Sequence, residues 1–253
     1  MSPFITVCIF TIPAYIVIAT ILFLCHKFIR TTKAKDIILM ILPLITVLFN
    51  YIDVYVAIKN GTFDRKYYLP CYPCHAIMWI NLTISFLFLI RKKNSRFCIN
   101  LIEFSSLIGV LCGLIGLQCN IDYITVKSFS DFHVFKGLLA HAALFLNCLY
   151  FIVMGYYKPD TKRNIQSCSV GIIIFALCGI YSNLVGRLTS TQEFNAFFLQ
   201  YPPIDGMPWI NCFTITLFGY ILLLIYLTIY EKITKKKMWY KSLIEYFKTS
   251  HNN

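Results

Sequence analysis

Seven long apolar runs, separated by short charged or polar stretches, dominate the 253-residue chain. In order they are Phe4–Cys25, Ile37–Ile58, Tyr67–Ile90, Phe97–Gln118, Val134–Tyr156, Cys168–Val185 and Trp209–Tyr230. About 20 apolar residues suffice for a helix to cross a bilayer, so each run is a candidate span. The expected fold is all-α: a polytopic integral membrane protein of about seven transmembrane helices. The sixth run is short and interrupted by glycine, and the long loop after it leaves its limits least defined. The third run opens on Tyr-Tyr-Leu-Pro-Cys-Tyr-Pro-Cys-His, and proline is compatible with the first turn of a helix, where amides lack intrahelical partners.

Composition agrees with this pattern, being 58% hydrophobic and only 13% charged. No Gly/Ser linker or internal repeat divides the chain, so residues 1–230 read as one transmembrane domain and 231–253 as a basic tail. The first run lacks a basic n-region and a cleavage site, and reads as a retained span. A net charge of +12 invites a nucleic-acid reading, but the basic residues sit in blocks between apolar runs, which suits membrane orientation better. Seventeen of them fall in the first, third and fifth loops and the tail, and six on the other side. The positive-inside rule then places the N-terminus outside or in a lumen and the C-terminus in the cytosol. Asn60-Gly61-Thr62 is a glycosylation sequon on the outer side; Asn81-Leu82-Thr83 lies within a span and is set aside.

Given that orientation, Asp53, Cys74 and His141 each fall roughly 8–10 Å below the outer surface, at ~1.5 Å of rise per residue. Asn50 and Asn183 lie near the same level, and Asn120 closes the fourth run. Ionisable groups in hydrocarbon usually face the bundle interior, so several at one level imply a polar pocket opening outward. The alternative is that they satisfy one another across helices and do nothing else. Glu103 and Asn147 lie deeper, where structural pairing is expected.

Cys74 is a candidate nucleophile, because a nearby base converts a thiol to the reactive thiolate, and His141 is the candidate base. His75 points ~100° away from Cys74 on a helix and suits binding or orientation. Lys136 at a helix mouth suits a lipid phosphate or simple snorkelling, and His133 sits in a solvated loop. Cys71-Tyr72-Pro73-Cys74-His75 also fits the c-type haem and dithiol patterns by letter, but no soluble domain surrounds it. A Cys71–Cys74 disulfide stays open as a reading, and it would mask the nucleophile. Most of the eleven cysteines read as small apolar fillers. No metal-ligand spacing and no nucleotide loop is present, so neither metal nor cofactor is expected.

Pro73-Cys74-His75 followed by an apolar helix resembles the signature of the transmembrane protein 164 family of multispanning acyltransferases. Ile52-Asp53-Val54, Asn120, the stretch from Gly137 to Asp160 with His141, and Gly186 to Trp209 with Thr189, Asn195 and Pro208-Trp209 resemble further family segments in the same order. The resemblance runs over about residues 37–230. Cys71, Lys136-Gly137 and the stretch around Phe197–Pro203 depart from it. It implies a cysteine acyl-enzyme with Cys74 as nucleophile and His141 as base. It also implies transfer of a polyunsaturated acyl chain from a phospholipid to a lysophospholipid such as ether-linked lysophosphatidylethanolamine. Asp53, His75, Asn120, Asn183 and Asn195 are expected to orient or support the site. Partners would be the two lipids and no nucleic acid, and the setting the endoplasmic reticulum membrane. A lipid hydrolase using the same pocket, and a non-enzymatic lipid-binding or transport protein, are the alternatives.

Overall fold

The computed structural model describes residues 3–52, 54–63, 69–118, 132–157, 159, 161–189, 195–202, 206–234, 238, 240–241 and 244. Its helices are α1 (Pro3–Phe28), α2 (Thr32–Tyr51), α3 (Val54–Lys59), α4 (Pro73–Leu89), α5 (Arg96–Phe104), α6 (Val110–Gln118), α7 (Phe132–Val153), α8 (Thr161–Thr189) and α9 (Cys212–Ile233). A π-helical turn, Ser105–Gly109, joins α5 to α6 so that the two cross as one rod. Six of these rods are long and apolar enough to span a bilayer, and α4 is a shorter apolar helix of 17 residues. Among the described residues no strand occurs. The protein is thus an all-α, multi-pass membrane protein, and its outward surface is apolar: Leu188 is 76% and Phe213 82% exposed.

Local chemistry explains where the helices begin. Thr31 caps α2 by accepting from the Ala34 amide, and Ser95 caps α5 through the Cys98 amide. Asn211 closes a reciprocal capping box with Thr214, so α9 starts at Cys212 and not at Trp209, where hydropathy put it. The sixth span is corrected more strongly, from Cys168–Val185 to the whole of α8. Its first turns are polar but still belong to the helix, because Asn164 and Ser167 are buried against other helices.

The third span also shifts. Hydropathy begins it at Tyr67, whereas the helix begins at Pro73. Proline forces the residue before it out of the helical region, and Tyr72 is extended, with φ −117° and ψ 151°. Leu69–Tyr72 therefore enters the bundle as non-helical chain, and Cys71 is only 3% exposed. Such backbone is tolerated within a bundle only when its polar groups are satisfied. Here the Cys71 amide donates to the Leu69 carbonyl at 2.7 Å, and the Phe197 amide donates to the Cys71 carbonyl at 3.1 Å. Cys74 is thereby in the first turn of α4, and not about seven residues along a helix.

Helix α7 is the axis of the packing, lying against α1, α2 and α6, while α2 also packs on α4 and α5 on α8. The core between them includes Leu39, Ile77, Ile84, Leu117, Leu144 and Tyr150. Contact between α6 and α7 is close because glycines face the partner. A Cβ at Gly113 would stand 2.8 Å from the Phe145 Cα, and one at Gly109 2.6 Å from the Cys148 Sγ.

Candidate active site

The late start of α4 is what brings the candidate residues together. Cys74 is one residue into α4 and His141 is more than two turns into α7, yet both line one cavity. Its other walls are His75 and Met78 from α4, Ala140 and Leu144 from α7, and Thr46 and Asn50 from α2. The cavity is small, about 20 Å³, which holds about one water molecule.

His141 is held in one tautomer and one orientation. Its Nδ1 lies 2.9 Å from the Gly137 carbonyl oxygen one turn earlier. A carbonyl only accepts, so Nδ1 carries the proton and the neutral ring keeps its lone pair on Nε2. The ring is packed on Gly116 of α6, where a Cβ would come within 2.1 Å of His141 Cδ2 and 2.6 Å of Nε2. No other residue type fits there without moving the imidazole.

His75 follows the same logic. Its Nδ1 donates to the Leu69 carbonyl at 3.0 Å, so its Nε2 is also the basic nitrogen. Tyr72 packs edge-on against the ring at 5.6 Å. His75 thus braces the non-helical entry segment, while its ring lies within electrostatic reach of His141 and Lys136. Cys71 and Cys74 stand as two thiols with no bond between them.

The remaining supporting candidates are scattered. Asn183 accepts from the Ala196 amide at 2.8 Å and donates to the Ala196 carbonyl at 3.2 Å. Asn195 donates to the Tyr201 carbonyl at 2.8 Å and accepts from the Gln200 amide at 3.1 Å. Both therefore shape the loop after α8, outside the cavity. That loop touches the site at one remove, because Phe197 bonds Cys71, three residues before Cys74. Asp53 and Asn120 lie outside the described residues, as does the side chain of His133. Among the described residues no group of three His, Cys, Asp or Glu side chains is placed to hold a metal.

Sequence reading put Asn50 near the right depth but gave it no role, and passed over Thr46 and Gly116. The Thr46 hydroxyl is satisfied by the Leu42 carbonyl at 3.1 Å. The Asn50 Nδ2 is different: it is buried and has no hydrogen-bond partner.

Fold and cavity together define a multi-pass helical membrane protein with a thiol and two imidazoles in one buried pocket. Residues 2–230 match the profile of the TMEM164 family, and the chain belongs to that family. No curated protein and no solved structure matches the chain.

Proposed function

We propose that the protein is a membrane phospholipid transacylase that carries the acyl group on Cys74. One observation bears most of the weight: helices α4 and α7 place the Cys74 thiol and the correctly tautomerised His141 in the same pocket. His141 Nε2 takes the thiol proton, and the sulfur attacks the ester carbonyl of a donor phospholipid. The ester C–O bond breaks as the thioester forms, and the leaving lysophospholipid alkoxide takes the proton back from His141. The hydroxyl of an incoming lysophospholipid, deprotonated by the same nitrogen, then attacks the thioester and releases Cys74.

Family membership and the resemblance around Pro73-Cys74-His75 favour a polyunsaturated chain and an ether-linked lysophosphatidylethanolamine acceptor. Lys136, within electrostatic reach of His75, suits a lipid phosphate at the pocket mouth. With the basic loops in the cytosol, the pocket opens toward the lumenal leaflet, and the endoplasmic reticulum is the membrane we assign. Both substrates are bilayer lipids, so the reaction needs no soluble cofactor. The pocket must widen to admit an acyl chain, since the cavity holds about one water.

That same water-sized space favours one alternative, a hydrolase in which water takes the acyl group. Membranes bearing the protein, supplied with acyl-labelled phosphatidylcholine with and without lyso-ether phosphatidylethanolamine, separate the two. Label reaching the acceptor only with Cys74 intact supports the transacylase. Label released as fatty acid without any acceptor supports the hydrolase, and neither product in folded protein refutes both.

A further inference from the structure

Among the described residues lining the cavity, one buried side-chain polar atom has no hydrogen-bond partner. The Nδ1 atoms of His75 and His141 are spent on backbone carbonyls, and the Thr46 hydroxyl on Leu42. The Asn50 Nδ2 is buried without an acceptor. Buried amide donors are nearly always paired, and leaving one unpaired destabilises the fold, so an orphan beside a nucleophile calls for a ligand atom. The atom it can serve is an acceptor that exists only during turnover.

We infer that Asn50 donates its Nδ2–H to the oxyanion that forms when Cys74 attacks the acyl carbonyl, which makes it a third catalytic residue. The inference rests on the transacylase reading above and adds to it. As the Cys74 sulfur bonds to the carbonyl carbon, the C=O π pair moves onto oxygen. The negative charge then needs donors that are in place beforehand and cost no reorganisation. Asn50 lines the same cavity as Cys74 from α2, which packs on α4. A second set of donors stands at the nucleophile itself. Cys74 and His75 are in the first turn of α4, where amides have no intrahelical acceptor, and Tyr72 offers no side-chain cap. A side-chain amide opposite the nucleophile's own amide is an arrangement that stabilises tetrahedral intermediates of acyl transfer. When the intermediate collapses, the electron pair returns to the carbonyl, the leaving alkoxide departs, and Asn50 loses its acceptor again.

Two reactions of the same thiol provide the test, because only one of them forms an oxyanion. Full-length protein in membranes is assayed for transfer of labelled acyl chain from phosphatidylcholine, and for alkylation of Cys74 by iodoacetamide, a displacement at carbon with no carbonyl addition. Asn50→Leu, which keeps the side-chain size, is expected to slow transfer by about 10²–10³-fold. Alkylation should stay within a few-fold of the wild-type rate. Asn50→Ala, which removes the donor without adding a charge, should behave likewise. Transfer within a few-fold of wild type in either variant would overturn the assignment. A parallel fall of transfer and alkylation in both variants would also overturn it, since Asn50 would then be holding the pocket together. Failure of the underlying reading looks different: wild-type protein would transfer no label, or Cys74→Ala would still do so, and the oxyanion role would fall with it.

Discussion

Two polar regions of this membrane protein treat their hydrogen bonds in opposite ways. Around Glu103, on α5, the charged and polar groups pair with one another across helices. Glu103 is 1% exposed, pairs with Arg163 and accepts from the Ser167 hydroxyl at 2.6 Å, while Ser167 also reaches Asn100 at 3.2 Å. At the basic ends of the helices, Asp36 accepts from Lys93 and from the Tyr156 hydroxyl, each at 2.6 Å. Around Cys74 the polar groups are held but not used up. His75 and His141 are oriented by one nitrogen and keep the other basic, and Asn50 keeps an unpaired donor. In hydrocarbon, paired polar groups serve as glue between helices, and we read the unpaired donor beside Cys74 as the place of a ligand atom.

Substitutions in the two regions should therefore fail in different ways, activity in one and stability in the other. The largest effect belongs to His141→Ala, which removes the proposed base and should slow acyl transfer by about 10²–10⁴-fold. Its thermal stability in detergent should fall little, since the loss is confined to a pocket. Next comes Glu103→Ala, which strands Arg163 and breaks a buried pair. Such changes cost about 3–5 kcal/mol, toward the lower end here because Arg163 is 42% exposed. Folded yield should drop while transfer per folded molecule holds; an unchanged melting temperature would erase the contrast.

Gly116→Ala sharpens the comparison without touching a polar group. The added methyl collides with the His141 ring, and a misplacement of about 1 Å costs about 10² in rate. Gly219→Ala is its control, because nothing lies within 4 Å of a Cβ there. Assayed side by side, the first should lose activity and the second should keep it. Asn183→Ala is smaller again, removing two bonds to Ala196 at about 1–3 kcal/mol. Its signature would be faster proteolysis or hydrogen exchange in the loop that touches Cys71. Arg96→Ala loses an exposed bond to Gln166, and should lower stability by about 0–1 kcal/mol at most, hardly moving the melting temperature.

Much of this was legible in the sequence, for identifiable reasons. Hydropathy alone marks the spans, because lipid demands long apolar runs. His141 stands out because an imidazole is costly at that depth unless it faces inward, and Cys74 because it falls at the same level behind Pro73. The two line one cavity although α4 begins six residues later than hydropathy puts it. Counting from Tyr67 treated an aromatic entry segment as helix, although Pro70 and Pro73 were already signs that it was not. What stayed hidden has no polar signature or too ordinary a one. Gly116 matters through the side chain it lacks, and only the run Gly109, Gly113, Gly116 hinted at a close helix–helix face. Asn50 was noticed for its depth, but its value lies in a bond it does not make, which no spacing reveals. Asn183 points to the site by its level and Asn195 by the family resemblance, and both shape the loop after α8 instead. The polar first turns of α8 were lost to hydropathy because their partners lie on α5, far away in sequence.

The central claim is that the acyl group rests on Cys74, and the bond itself can be caught. Wild-type and Cys74→Ala proteins, incubated in membranes with acyl-labelled phosphatidylcholine and no acceptor, would be quenched in acid and digested. The account predicts label on the wild-type peptide containing Cys74, released by neutral hydroxylamine as a thioester should be, and none on the variant. Undiminished transfer by Cys74→Ala, with no labelled protein in either sample, would contradict it.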